Sequence, residues 1–222
     1  MNIPVDKLVR SKRRTIALIV EGDGSLTVRA PTRATLAAIE LFIREKAEWI
    51  IRTRARLGSV IQVPKKKYVD GEKFLFLGAP YELTLVTPRR AALKFERGFQ
   101  LANTAQQRGE LLFTRWYKGK ALTVLSERVK LFADMHGYVP KRVNITSAKT
   151  RWGSCSPDGS LNFTWRLVMA PLEVIDYVVV HELVHLRVKN HSRRFWAAVG
   201  KIFPDYRIQR RWLKDHGDQL GL

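Results

Sequence analysis

The pentapeptide His181-Glu182-Leu183-Val184-His185 sets two imidazoles four residues apart, with a carboxylate beside the first. Chance alone yields such a pattern about 0.006 times in a chain of this composition, so its surroundings decide its meaning. On a strand the two rings stand roughly 13 Å apart, too far to share one ion. On a helix their Cβ atoms lie about 5–6 Å apart on one face, and both rings can reach a zinc at about 2.0–2.1 Å. Val178-Val179-Val180 favours a strand by propensity. Pro171 at a first helical position and Glu173 close behind it favour a helix start. The geometry decides for a helix from Pro171 through this motif.

A catalytic zinc takes three protein ligands and keeps a fourth position open. His191, ten residues after His181, is the candidate third ligand. A continuous helix would carry it about 9 Å beyond His185 and well round the cylinder, so the helix must break first. Asn190 can adopt the left-handed conformation such a break uses, and Ser192 can cap the next helix. Metzincins share this one-five-eleven spacing, but Val188 stands at their turn glycine and no methionine follows the motif. That subclass is excluded. Glu182 sits where a general base can take a proton from an attacking water and pass it to a leaving amine. The bland alternative is a buried helix whose histidines only hydrogen-bond. Three of the five histidines falling within eleven residues weigh against it. His136 reads as a helix-end cation and His216 as a solvated tail residue. The expectation is one zinc ion per chain, held by His181, His185 and His191, with Glu182 catalytic.

Three further residues carry two readings each. Trp152, in the Gly/Ser-rich stretch Lys149–Gly159, either lines a cleft or anchors its loop. Tyr206 either packs in the core or offers a hydroxyl to the scissile carbonyl. Cys155, the single cysteine, reads as structural rather than as ligand, nucleophile or redox switch.

The elements that position these residues follow from periodicity and turn chemistry. Arg14–Val20 and Ser25–Arg29 read as a hairpin round a turn containing Gly22 and Gly24. Thr32 can cap a helix reaching about Leu57, with Leu36, Ile39, Ile43, Ala47 and Ile50 inward and Gly58 at its end. Phe74–Leu77, Tyr81–Val86, Ala92–Phe95 and Phe99–Ala102 read as short strands. A long helix runs from about Asn103 to His136, with Leu112, Trp116, Leu122, Leu125, Val129 and Phe132 as its stripe and Gly137 as its stop. Residues 142–147 and Leu161–Leu167 read as strands, the second an edge able to hold an extended substrate. Two helical patterns divided near Pro204 close the chain. The expected architecture is α+β: a β-rich module with one long helix over residues 1–103, and a catalytic half over residues 104–222.

The 222 residues are 45% hydrophobic and 27% charged, an ordinary globular balance that excludes disorder and low-complexity repeats. The longest apolar run near the N-terminus, Ile16–Val20, is far too short for a signal core or a membrane span, so a cytoplasmic location is expected. A lone cysteine fits a reducing compartment. The net charge of +20 is extreme, and its excess lies before residue 171, with clusters at Arg10–Arg14, Lys65–Lys67 and Arg89-Arg90. Such a field attracts nucleic acid or another polyanion, with Arg13, Arg14, Lys65, Lys66 and Lys67 as candidate contacts. The alternative is a solvated basic surface.

Trp152–Ser156, Arg166-Leu167, Ala170-Pro171, Asp176–Leu183, Asn190–Ser192 and Phe195-Trp196 together resemble the YgjP-like metallopeptidases, relatives of the SprT-type zinc proteases. Ser11–Arg14 before a hairpin extends the resemblance over nearly the whole chain. It implies a zincin-like catalytic half acting on a peptide or protein substrate, with His181, His185 and His191 as ligands and Glu182 as acid/base. Thr164 stands where the family pattern leads one to expect asparagine, so it is a candidate substrate contact that departs from that pattern. Two other classes stay open. One is a metal-dependent nucleotide phosphohydrolase using the basic residues as a clamp. The other is a nucleic-acid-binding module with a structural zinc, which normally takes four protein ligands.

Overall fold

The computed structural model describes residues 3–21, 23–59, 65–87 and 91–222, and the chain divides into two compact units, Met1–Gln62 and Val63–Leu222. Gly22, Arg89 and Arg90 lie outside the described residues.

In the first unit, β1 (Lys7–Ser11), β2 (Ala17–Val20) and β3 (Leu26–Pro31) form a sheet of order β1-β3-β2. β2 and β3 are the expected hairpin, with Val20 opposite Leu26 and Gly24 at φ +84° in the turn. β1 pairs in parallel with β3 and is largely exposed, so no apolar pattern marks it. Arg10, from the basic run, donates to the carbonyls of Pro31, Thr32 and Ala34 at 3.3, 3.2 and 2.7 Å. The one helix expected here is two, α1 (Leu36–Glu45) and α2 (Ala47–Ser59), interrupted at Lys46. Thr35, not Thr32, caps α1 by accepting the Ala38 amide at 3.2 Å. Gly58 falls inside α2, and Leu36 is exposed. Leu26, Val28 and Ala30 of β3 meet Ile39, Ile43 and Ile50 in this unit's core.

In the second unit, β4 (Lys73–Phe76), β5 (Ala79–Val86), β6 (Leu93–Phe95) and β7 (Phe99–Ala102) lie close to their expected bounds, in the order β4-β5-β7-β6. The β4–β5 turn is Leu77-Gly78, with φ +50° and +81°, as a two-residue hairpin loop requires. Its amides donate to Val168 and Met169 carbonyls at 2.8 and 3.2 Å. A Cβ on Gly78 would stand 2.9 Å from Pro171 Cα. This turn props the segment that leads into the motif helix.

α3 (Gly109–His136) ends at Gly137 in the left-handed conformation, as expected. Its buried row is Phe113, Tyr117, Ala121, Leu125, Val129 and Ala133, whereas Leu122 is exposed. The row advances in steps of four, and its alanines carry no signal in a reading that weighs large apolar residues. β8 (Val143–Thr146), β9 (Gly153–Cys155) and β10 (Leu161–Thr164) form a second sheet of order β8-β10-β9. β10 is therefore central, which overturns its expected role as an edge. The segment beyond it, Trp165–Met169, is a buried 3-10 turn instead of more strand. The edge strand that packs on the motif helix is β9.

α4 (Leu172–Val184) carries the motif, and α5 (Arg193–Ile202) and α6 (Tyr206–His216) pack on it. Pro171 occupies the N-cap, one position earlier than expected. Nearly every α4 residue is buried, so packing on α3, β9, α5 and α6 overrides the strand propensity of Val178–Val180. The border expected near residue 103 falls inside this unit, whose single core joins Phe74, Phe99 and Leu101 to Phe113, Tyr117, Val180 and Leu183. The fold is α+β.

Candidate active site

α4 presents His181 and Glu182 in its last turn and ends at His185. The chain then turns through Leu186 and Arg187, whose amides donate to Leu183 and Val184 carbonyls at 3.0 and 3.1 Å. No described residue there takes the left-handed conformation, so Asn190 does not end the helix as expected. Ser192 does hold the N-cap position of α5, but without a side-chain capping bond. The break brings His191 back over α4. His191 Nε2 lies 3.0 Å from His181 Nε2 and 3.2 Å from His185 Nε2. Ligands at about 2.0–2.1 Å round a tetrahedral zinc stand about 3.3 Å apart, close to these two separations. Uncharged imidazoles supply the lone pairs such a centre takes, and the donor set fits.

The surroundings favour the neutral form of His181 and His185. Burial, then the neighbouring imidazoles, lower His181 to about 3. Burial also lowers His185, whose Nδ1 lies 3.0 Å from the Val188 carbonyl. That contact assigns the proton to Nδ1 and leaves the Nε2 lone pair facing the other imidazoles. Val188, where metzincins have glycine, serves through its backbone. Phe195 of α5 is fully buried, and its ring centroid lies 4.8, 4.4 and 4.8 Å from those of His181, His185 and His191. It forms an apolar floor under all three.

Glu182 is 5% exposed, and its Oε2 has no hydrogen-bond partner among the described residues. Burial raises its carboxyl to about 8, partly opposed by the charge of Arg151. Gly153 of β9 makes room for it. A Cβ there would stand 2.6 Å from Glu182 Oε1 and 2.7 Å from its Cγ. A cleft of about 350 Å3 opens over these groups, lined by Trp152, Tyr177, His181, Glu182, Arg210 and Lys214 among others.

The remaining candidates separate. Trp152 does both of its proposed jobs, lining the cleft and packing where a Cβ on Gly217 would come within 2.7 Å of its ring. Tyr206 stacks between Trp196 and Tyr177, at centroid distances of 5.4 and 6.5 Å, and its hydroxyl accepts from Arg207 at 3.4 Å. Thr164 is buried and donates to the Ala148 carbonyl at 2.8 Å, bordering a second cleft that also includes Cys155. Cys155 is partly buried, and burial raises its thiol. Arg14, Lys65 and Lys67 are exposed. Lys66 is not free for a polyanion: its Nζ donates to the Lys73 carbonyl at 2.7 Å and lies 4.0 Å from Glu72. Arg13 is partly buried. Sequence reasoning missed Gly153, Tyr177 and Arg210. Gly153 and Tyr177 do lie within the stretches that carry the family resemblance, but no role was drawn from them there.

An HExxH-type helix with three converging imidazoles and a buried carboxylate defines a metallopeptidase-like site. The model described as "YgjP-like, metallopeptidase domain" matches residues 14–216, and the chain belongs to that family. Among solved structures, that of the metallopeptidase zymogen of Pyrococcus abyssi abylysin is similar over 41% of this chain and 93% of its own, with 24% identity and a TM-score of 0.38. A search of curated proteins finds no match. No helix among the described residues is long and apolar enough to cross a membrane.

Proposed function

We propose that the protein is a zinc-dependent peptidase in which His181, His185 and His191 hold one ion per chain and Glu182 is the general base. The observation that carries this reading is the convergence of three Nε2 atoms at 3.0 and 3.2 Å beside an unpartnered, buried Glu182 Oε2. When bound, the ion supplies Lewis acidity toward a water molecule and the scissile carbonyl. Glu182 Oε2 takes the proton of the attacking water and returns it to the departing amide nitrogen. Phe195 keeps solvent from the underside of the imidazoles.

Substrate would lie along β9. Thr164 N donates to Trp152 O at 3.0 Å and Ser156 N to Ser160 O at 2.8 Å, so these residues turn their backbone groups toward β10. By antiparallel alternation the backbone groups of Gly153 and Cys155 face the unpaired edge. An extended peptide could add there, its backbone beside Glu182.

The test is hydrolysis of a peptide mixture by the zinc-loaded protein, read by mass spectrometry. Cleavage that disappears in Glu182→Gln while zinc content stays unchanged is the expected result. Cleavage at the parent rate by that variant would remove Glu182 from the mechanism.

A further inference from the structure

Two cations face the cleft that holds His181 and Glu182, and the peptidase reading gives them no task. Arg210 and Lys214 stand four residues apart on one face of α6, and both line the cleft. Like charges at that spacing repel. Among the described residues neither makes an ion pair, although Asp205, Asp215 and Asp218 lie in the same segment. Asp215, next to Lys214, points about 100° away round the helix. Among the described residues Glu182 is the only carboxylate in the cleft wall, and the peptidase reading commits it to the reacting water.

Arg210 is also held in place. Its guanidinium carbon lies 4.9 Å from the Trp196 ring centroid, and Trp196 in turn stacks on Tyr206. Both Arg210 and Lys214 share the cleft wall with Tyr177 and His181. An oriented guanidinium with an ammonium one turn away matches the two oxygens of a carboxylate.

We infer that Arg210 and Lys214 form a carboxylate-recognition subsite, so that the enzyme selects substrates carrying an acidic side chain or a free C-terminus next to the scissile bond. This rests on the peptidase reading for its consequence, but it is tested by binding alone.

Glu182→Gln protein is titrated with three fluorescent peptides. One carries glutamate and an amidated C-terminus, the second carries glutamine in its place, and the third is the glutamine peptide with a free C-terminal carboxylate. One of the two carboxylate-bearing peptides should bind about fivefold to tenfold more tightly than the uncharged one, the gain of a partly solvent-exposed charge-assisted contact. Preference for the first assigns the subsite to an acidic side chain, and preference for the third to a chain terminus. Adding Arg210→Glu and Lys214→Glu should abolish that preference and favour a lysine-bearing peptide. Equal affinities for all three peptides, including none measurable for any, would overturn the subsite. Failure of hydrolysis by the parent protein would instead strike the peptidase reading, so the two failures are separable.

Discussion

Gly153 governs where Glu182 can sit, because any side chain at that position collides with the carboxylate and with its Cγ. The neighbour cannot swing aside cheaply, since Glu182 is packed in the interior. Gly153→Ala should therefore keep zinc but lower kcat by about 100-fold, the cost of displacing a reacting group by about 1 Å. Unchanged kcat would show that Glu182 is not positioned by β9. At this scale the sequence was legible in the clustering of His181, His185 and His191, where ligand chemistry dictates both type and spacing. Gly153, Tyr177, Arg210 and Gly217 were not, because their roles come from neighbours brought together by the fold. Asn190 and Thr32 were misassigned for a related reason: each suits the role proposed for it, but the backbone closes the turn or caps the helix elsewhere.

Among the elements, α4 depends on α3 for its placement. Arg128 of α3 donates from Nε and Nη2 to the two oxygens of Asp176 on α4, at 2.6 and 2.7 Å. Burial pushes the Asp176 carboxyl up, and the guanidinium opposes it. Arg128→Met should destabilise the protein by about 3 kcal/mol, because it leaves a buried carboxylate unpaired. Adding Asp176→Leu should restore most of the loss. The denaturation midpoint at constant m-value reports both changes, and a shift below about 0.5 kcal/mol for the single variant would contradict the pair's role. The strands β4 to β7 were legible from alternating apolar residues and turn signals. The interruption of α1 and α2 at Lys46 was not, since no proline or glycine marks it. β10 was misread as an edge because strand order is a tertiary fact: β9, three residues of Gly-Ser-Cys, carries no strand propensity yet closes the sheet.

For the whole molecule, the pattern of helices and strands gave the α+β class, but the division expected near residue 103 comes too late. The aromatic cluster of Phe74, Phe99 and Phe113 unites the β4–β7 sheet with α3 in the second unit, a link that no local pattern records. The +20 charge is likewise a property of the sum. Some of its members are engaged in contacts within the chain, as Arg10, Lys66 and Arg128 show. The central claim is that three imidazoles hold one zinc ion. His191 is exposed, so His191→Ala removes a ligand with little change to the interior. The direct measurement is zinc per chain by elemental analysis of protein purified without added metal. The account predicts about one zinc in the parent and in Glu182→Gln, and a loss of most of it in His191→Ala. Zinc absent from the parent, or retained in full by His191→Ala, would contradict it.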